Sequence, residues 1–318
     1  MVFSGLISES FNSEVDGKIV AASGLKFDSY KVTELSSGIK IISEYIPHFR
    51  SISLGFWLPA GSRNENEEIN GVSHLIEHLL FKGTKKRSYH DIAVEFDTMG
   101  AEFNAFTDKE NCCIYADFID THLDKCIELL LDILMNPSFL TEHIKIEKKV
   151  ILEEIKMVED NPSDSIINYL YKAVLDKHPL SLPILGTRNS LRKVKKTDIL
   201  DYFKKKFDIS TAVISAAGNI RHRELVDRVR KNIGRIKQKK ASMDFTDQKV
   251  PGGRSIKKVY SSKTKSEHIC LGGPGCRRDD DNKYPISLFT ILVGGSMSSR
   301  LFQKIREEKG LAYSIYSG

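Results

Sequence analysis

The chain has 318 residues, a formal net charge of +6 and 41% hydrophobic residues. That supplies apolar material for one complete domain and part of a second, and no apolar run approaches the roughly 20 residues a membrane span needs. The excess of base is modest and spread over lysine-rich helices without interleaved aromatics, which argues against nucleic acid or a membrane as partner.

In chain order, residues 1–26 read as a flexible N-terminal extension. They lack the basic start and apolar stretch of a secretory signal. They also contain no arginine and several acids, unlike a mitochondrial presequence, so a cytoplasmic location follows by default. Ser51 to Leu58 and Cys113 to Phe118 alternate as strands do, whereas Leu123 to Leu134 and Arg221 to Ile233 carry helical periodicity. The five cysteines, at 112, 113, 126, 270 and 276, show no zinc-type pairing and are expected to be reduced, with Cys112 and Cys113 as strand residues.

Gly71 to Lys82 is predicted helical, capped by Asn70 and ended by Gly83. Val72, Leu75, Ile76, Leu79 and Leu80 fall on one side, and His74, Glu77, His78 and Phe81 on the other. His74 and His78 stand one turn apart, the spacing at which two imidazoles hold one tetrahedral metal. Glu77 stands beside them as a carboxylate suited to taking a proton from water. The plain alternative is a solvated helix face that happens to carry two histidines.

Glu142 to Asp160 is the next informative helix. Ile144, Val150, Ile151, Ile155 and Val158 share one side with Glu147 and Glu154, while Lys145, Lys148, Lys149, Glu153, Lys156 and Glu159 take the other; Leu152 breaks the pattern. Two ionised carboxylates in an apolar stripe are costly unless a cation compensates them. A metal does so directly; pairing with buried basic residues is the alternative. On either account Glu154 faces inward and Glu153 faces solvent.

These residues carry a family resemblance. His74-Leu75-Ile76-Glu77-His78 is a His-x-x-Glu-His string, and it resembles the zinc site of the insulinase, or pitrilysin-type, metallopeptidases, in particular their small bacterial processing-peptidase-like branch. Ala60-Gly61-Ser62-Arg63, Asn70-Gly71, Phe81-Lys82-Gly83-Thr84, Gly100 to Thr107, Val150 to Ile155, Asn161-Pro162, Pro183 to Thr187 and Ala217 to Ile220 are similar to further family landmarks. The resemblance implies that His74, His78 and Glu154, which lies 76 positions after His78, hold one Zn²⁺. It implies Glu77 as general base, with Glu147 supporting the ligands from behind. It also implies that Asn104 and Ala105 lie on an open strand edge where a peptide adds as an extra strand.

The second half repeats the first in outline. Ile52 to Gly55 recurs as Ile269 to Gly272, followed by a turn at Gly272 to Gly275 and a helix around Ser298 to Lys309 without a His-x-x-Glu-His string. Gly294 to Tyr313 resembles the family's second-domain signature, which implies that Arg306 and Tyr313 clamp the substrate and its oxyanion. Taken alone, they read as an exposed helix charge and a core tyrosine. The implied fold class is α+β, an antiparallel sheet packed with helices and duplicated, with the second copy truncated. The expected domains are a catalytic domain over 27–235, a linker over 236–255 and an incomplete second domain over 256–318. The expected activity is zinc-dependent endopeptidase cleavage of short or unfolded peptides. A homodimer or a partner chain would supply what the second domain lacks. A catalytically silent peptide-binding subunit and a structural metal site with a fourth protein ligand are the rival readings.

Overall fold

The computed structural model describes residues 30–234, 256–261 and 266–318. The expected extension over 1–26 and linker over 236–255 lie outside these residues. Contacts divide the chain into two compact units, with the boundary at Gly272 and Gly273.

The larger unit runs β1 (Tyr30–Glu34), β2 (Lys40–Tyr45), β3 (Ser51–Leu58), α1 (Val72–Leu80), α2 (Tyr89–Thr98), β4 (Glu102–Thr107) and β5 (Cys112–Ile119). It continues through α3 (Leu123–Met135), α4 (Thr141–Asp160), α5 (Pro162–Leu175), α6 (Arg188–Lys193), α7 (Lys196–Lys206), β6 (Val213–Gly218) and α8 (His222–Ile233). The strands form one six-stranded sheet in the order β1-β2-β6-β3-β5-β4. Neighbours are antiparallel except β2 and β6, which run parallel from Lys40 beside Val213 to Tyr45 beside Gly218. The expected antiparallel sheet is therefore mixed. A hairpin forces antiparallel pairing, but β6 arrives after five helices and can enter in either direction.

Alternation decides the faces. On β3, Ile52, Leu54, Phe56 and Leu58 are buried while Ser51 and Ser53 are exposed. The same face receives Ile41 from β2, Ile114, Ala116 and Phe118 from β5, and Ile214 from β6, and it joins the apolar sides of α1, α3 and α8 in one core. Cys112 and Cys113 open β5 as buried strand residues, as expected. The helices begin and end on local chemistry. Asn161 caps α5 by accepting from the Ser163 N–H, and Pro162 occupies its first turn, where no N–H is needed.

In the smaller unit, α9 (Lys283–Gly294) is followed by a π-helical turn over Phe302–Glu307 in place of the regular helix expected around Ser298 to Lys309. At the end of the larger unit, the expected strand at Ile269 to Gly272 is also not formed: Ile269 and Leu271 are 82% and 90% exposed in irregular chain. A strand is defined by its partner, and among the described residues none pairs with this segment. No helix among the described residues is long and apolar enough to cross a membrane.

Candidate metal centre

The site is built on α1, whose N-terminus is fixed more elaborately than its sequence indicates. Asn70 is not its cap. The cap position is Gly71 at φ +93°, and the orphan N–H groups of Gly71 and Ser73 donate to the Glu65 carboxylate at 2.7 and 2.8 Å. Asn70 serves from the side: its amide donates to Glu65 Oε2 at 2.8 Å and to the Pro183 carbonyl at 2.9 Å. Glu65 is buried, and desolvation pushes its carboxyl above the usual range despite these donors. The loop before α6 presses backbone to backbone on the same point, since a Cβ on Gly186 would lie 2.4 Å from the Asn70 carbonyl oxygen. Ser73 and Tyr202 share a 2.8 Å hydroxyl contact that ties α7 to this turn.

With its start pinned, α1 buries Val72, Leu75, Ile76, Leu79 and Leu80 and leaves His74, Glu77 and His78 half-buried on one stripe, as its periodicity predicts. α4 packs against α1 with Ile144, Glu147, Ile151 and Ile155 buried. Glu154 is half-buried and Glu153 exposed, as expected. Val150, expected inside, is 41% exposed, because the buried stripe of α4 is narrower than its apolar pattern.

His74, His78 and Glu154 converge. His74 Nε2 lies 3.9 Å from Glu154 Oε2, and His78 Nε2 lies 3.7 Å from Glu154 Oε1. A tetrahedral zinc with bonds of about 2.0–2.1 Å places its ligand atoms roughly 3.3–3.4 Å apart. The two distances to Glu154 are about 0.3–0.6 Å longer than that, the three donor atoms lie within 4.8 Å of one another, and among the described residues they form the one group of this kind. Two imidazoles and a carboxylate, with no fourth protein donor among the described residues, fit a catalytic site better than a structural one. Burial, together with the neighbouring His78, holds His74 down to about 4, so its imidazole is neutral and its lone pair available.

Glu147 is 3% exposed and stands behind the ligands: its Oε2 meets His78 Nδ1 at 2.9 Å and its Oε1 meets Lys82 Nζ at 2.9 Å. Of the two sequence alternatives, Glu147 shows the pairing with a base, and it also braces the His78 ring. A carboxylate on Nδ1 leaves Nε2 as the ligating atom.

Glu77 follows on the same stripe. Burial pushes its carboxyl upward, as does nearby Glu154, while the Thr107 hydroxyl and His78 oppose that rise. Thr107 donates to Glu77 Oε2 from the end of β4. Asn104 and Ala105 lie on this strand, and β4 is an edge of the sheet. The Ala105 N–H donates to Asn104 Oδ1 at 2.8 Å, so that backbone donor is already engaged. Arg306 and Tyr313 belong to the smaller unit, where the guanidinium lies 5.2 Å from the Tyr313 ring and 4.5 Å from that of Phe302. Tyr313 is 88% exposed and is not a core residue.

Glu65, Lys82 and a role for Thr107 are absent from the sequence expectations. Only Glu65 left a signal: a carboxylate six residues before the glycine that opens α1.

Residues 40–188 match the family model described as Insulinase (Peptidase family M16), and residues 193–318 match Peptidase M16 inactive domain. An uncharacterized zinc protease of Bacillus subtilis, YmxG, is 40% identical over 281 residues, covering 88% of this chain and 68% of its own. One of Streptomyces coelicolor is 37% identical, covering 90% of this chain and 63% of its own, so the chain spans about two thirds of the length of these relatives. The crystal structure of a protease from Helicobacter pylori superposes over 91% of this chain and 71% of its own with a TM-score of 0.77 at 18% identity, which speaks for the fold. The chain belongs to the insulinase family of peptidases, M16.

Proposed function

We propose that the chain is a zinc-dependent endopeptidase that cleaves short or unfolded peptides. The observation that supports this best is the convergence of His74 and His78 on α1 with Glu154 on α4 beside Glu77, where α1 contacts an open sheet edge. Bound by those three donors, zinc would act as a Lewis acid and favour ionisation of water. Every other task falls to the chain's own side chains.

Glu147 and Lys82 hold His78 in the tautomer that presents Nε2. Glu77 takes a proton from the attacking water and returns it to the leaving amine. Its burial suits this, because a carboxylate raised above its ordinary range is a stronger base than an exposed one. The backbone of β4 around Asn104 and Ala105 aligns an extended peptide by strand addition, which makes little demand on its sequence but excludes folded proteins. For that, Asn104 must release the Ala105 N–H.

Zinc content and cleavage of a quenched, unstructured peptide library test the proposal, with the chain compared against Glu77→Gln. One zinc per chain is expected in both, together with chelator-sensitive cleavage that falls in the variant by about 10²–10⁴-fold. Full turnover by Glu77→Gln would remove the base assignment. Zinc and peptide binding without cleavage would favour the silent peptide-binding subunit, and absence of zinc would refute the central reading.

A further inference from the structure

The contact between Thr107 and Glu77 joins two parts of the site that the sequence treats separately. Thr107 is the last residue of β4, and Glu77 lies in the middle of α1. Its hydroxyl donates to Glu77 Oε2, which leaves Oε1 as the oxygen able to exchange a proton. Thr107 pairs in register with Cys112, the buried first residue of β5. Cys112 is 0% exposed and lies at the start of β5, inside the sheet, so this arrangement is anchored in the core rather than in a loop.

We propose that Thr107 is the positioning residue of the base: its hydroxyl fixes one oxygen of Glu77, so that the strand that seats the peptide also aims the carboxylate. This rests on the peptidase reading above. It gives the edge strand a second task, because a peptide added along Asn104 and Ala105 stiffens the same backbone that carries Thr107.

Full-length Thr107→Val and Thr107→Ser separate this role from a structural one. Valine matches threonine in shape and suits a strand, whereas serine keeps the hydroxyl. Measured on the quenched peptide, Thr107→Val is expected to keep one zinc and a KM within about twofold of the parent while kcat falls about 10- to 100-fold, the worth of a hydrogen bond to a charged group. Thr107→Ser is expected to recover kcat to within roughly threefold. Crystal structures of the zinc-loaded proteins supply the readout that needs no turnover. Glu77 is expected in one rotamer on the hydroxyl in the parent and in Thr107→Ser, and in several rotamers in Thr107→Val. An unchanged kcat in Thr107→Val, or Glu77 unmoved in its crystal structure, would overturn the proposal. Should the parent itself cleave nothing, the peptidase reading fails, and the Glu77 rotamers still decide the role of Thr107.

Discussion

At the scale of single residues, the deepest charge in the site is a support rather than a ligand. Glu147 faces His78 Nδ1 with one oxygen and Lys82 Nζ with the other, each at 2.9 Å, and is 3% exposed. Replacing it with glutamine keeps the volume but removes the charge that orients the imidazole. Glu147→Gln should therefore weaken zinc by about 10- to 100-fold while leaving the melting temperature of the metal-free protein nearly unchanged. A metal-buffered titration checks this, and undiminished affinity would reduce Glu147 to a partner of Lys82. The convergence of His74, His78 and Glu154 was legible because helical spacing fixes which neighbours share a face: the histidines follow from four-residue spacing, and Glu154 is separated from Glu153 by a single step around the helix. Lys82 and Glu65 were not legible as participants. Lys82 matters through Glu147, which lies 65 positions away, and Glu65 matters because the chain folds back onto the start of α1; neither is a periodicity.

At the scale of elements, the turn after α1 is secured by an ionic cluster that also fixes α2 and α3. Arg87 donates to Glu95 on α2 at 2.8 Å and to Asp132 on α3 at 2.6 Å, and Asp132 also accepts from Thr84 at 2.8 Å and Asn136 at 3.0 Å. Burial by itself would raise the Asp132 carboxyl, but the hydrogen bonds from Thr84, Arg87 and Asn136 outweigh it and hold the group below its ordinary value of 3.8. A carboxyl depressed in the folded state contributes stability above its unfolded pKa and loses it as pH falls through the folded value. The urea midpoint should accordingly drop between about pH 5 and pH 3, and Asp132→Asn should flatten that drop while lowering the midpoint at neutral pH. Asp132→Ala, which removes the acceptor of Thr84 and Asn136 and one of the carboxylates around Arg87, should lower the midpoint further than Asp132→Asn. Equal acid sensitivity in parent and Asp132→Asn would mean that the cluster does not govern it. Elements with a strong period were legible almost to the residue, as β3, α3 and α8 are. The parallel pairing of β2 with β6 was not, since it depends on where a strand returns after five helices rather than on any local pattern.

At the scale of the molecule, every proposed metal donor, the base and the edge strand belong to the unit that ends at Gly272, while Arg306 and Tyr313 belong to the other. The larger unit has one core drawn from residues between Leu35 and Ile233, which is what independent folding requires. A fragment of residues 30–272 should therefore melt cooperatively and bind one zinc with the affinity of the full chain. Its turnover is a separate question, because the resemblance gives Arg306 and Tyr313 a part in stabilising the oxyanion, and losing one such donor costs about 10²–10³ in kcat. Zinc retained with cleavage reduced to that degree would show that metal binding is local and that catalysis draws on both units. Cleavage at the full-chain rate would free Arg306 and Tyr313 of any role. A fragment that binds no zinc would mean that α1 and α4 need more than their own unit to bring His74, His78 and Glu154 together. The duplicated strand expected at Ile269 to Gly272 bears on the same point: it is irregular and exposed, so the only sheet among the described residues is the one that α1 packs against.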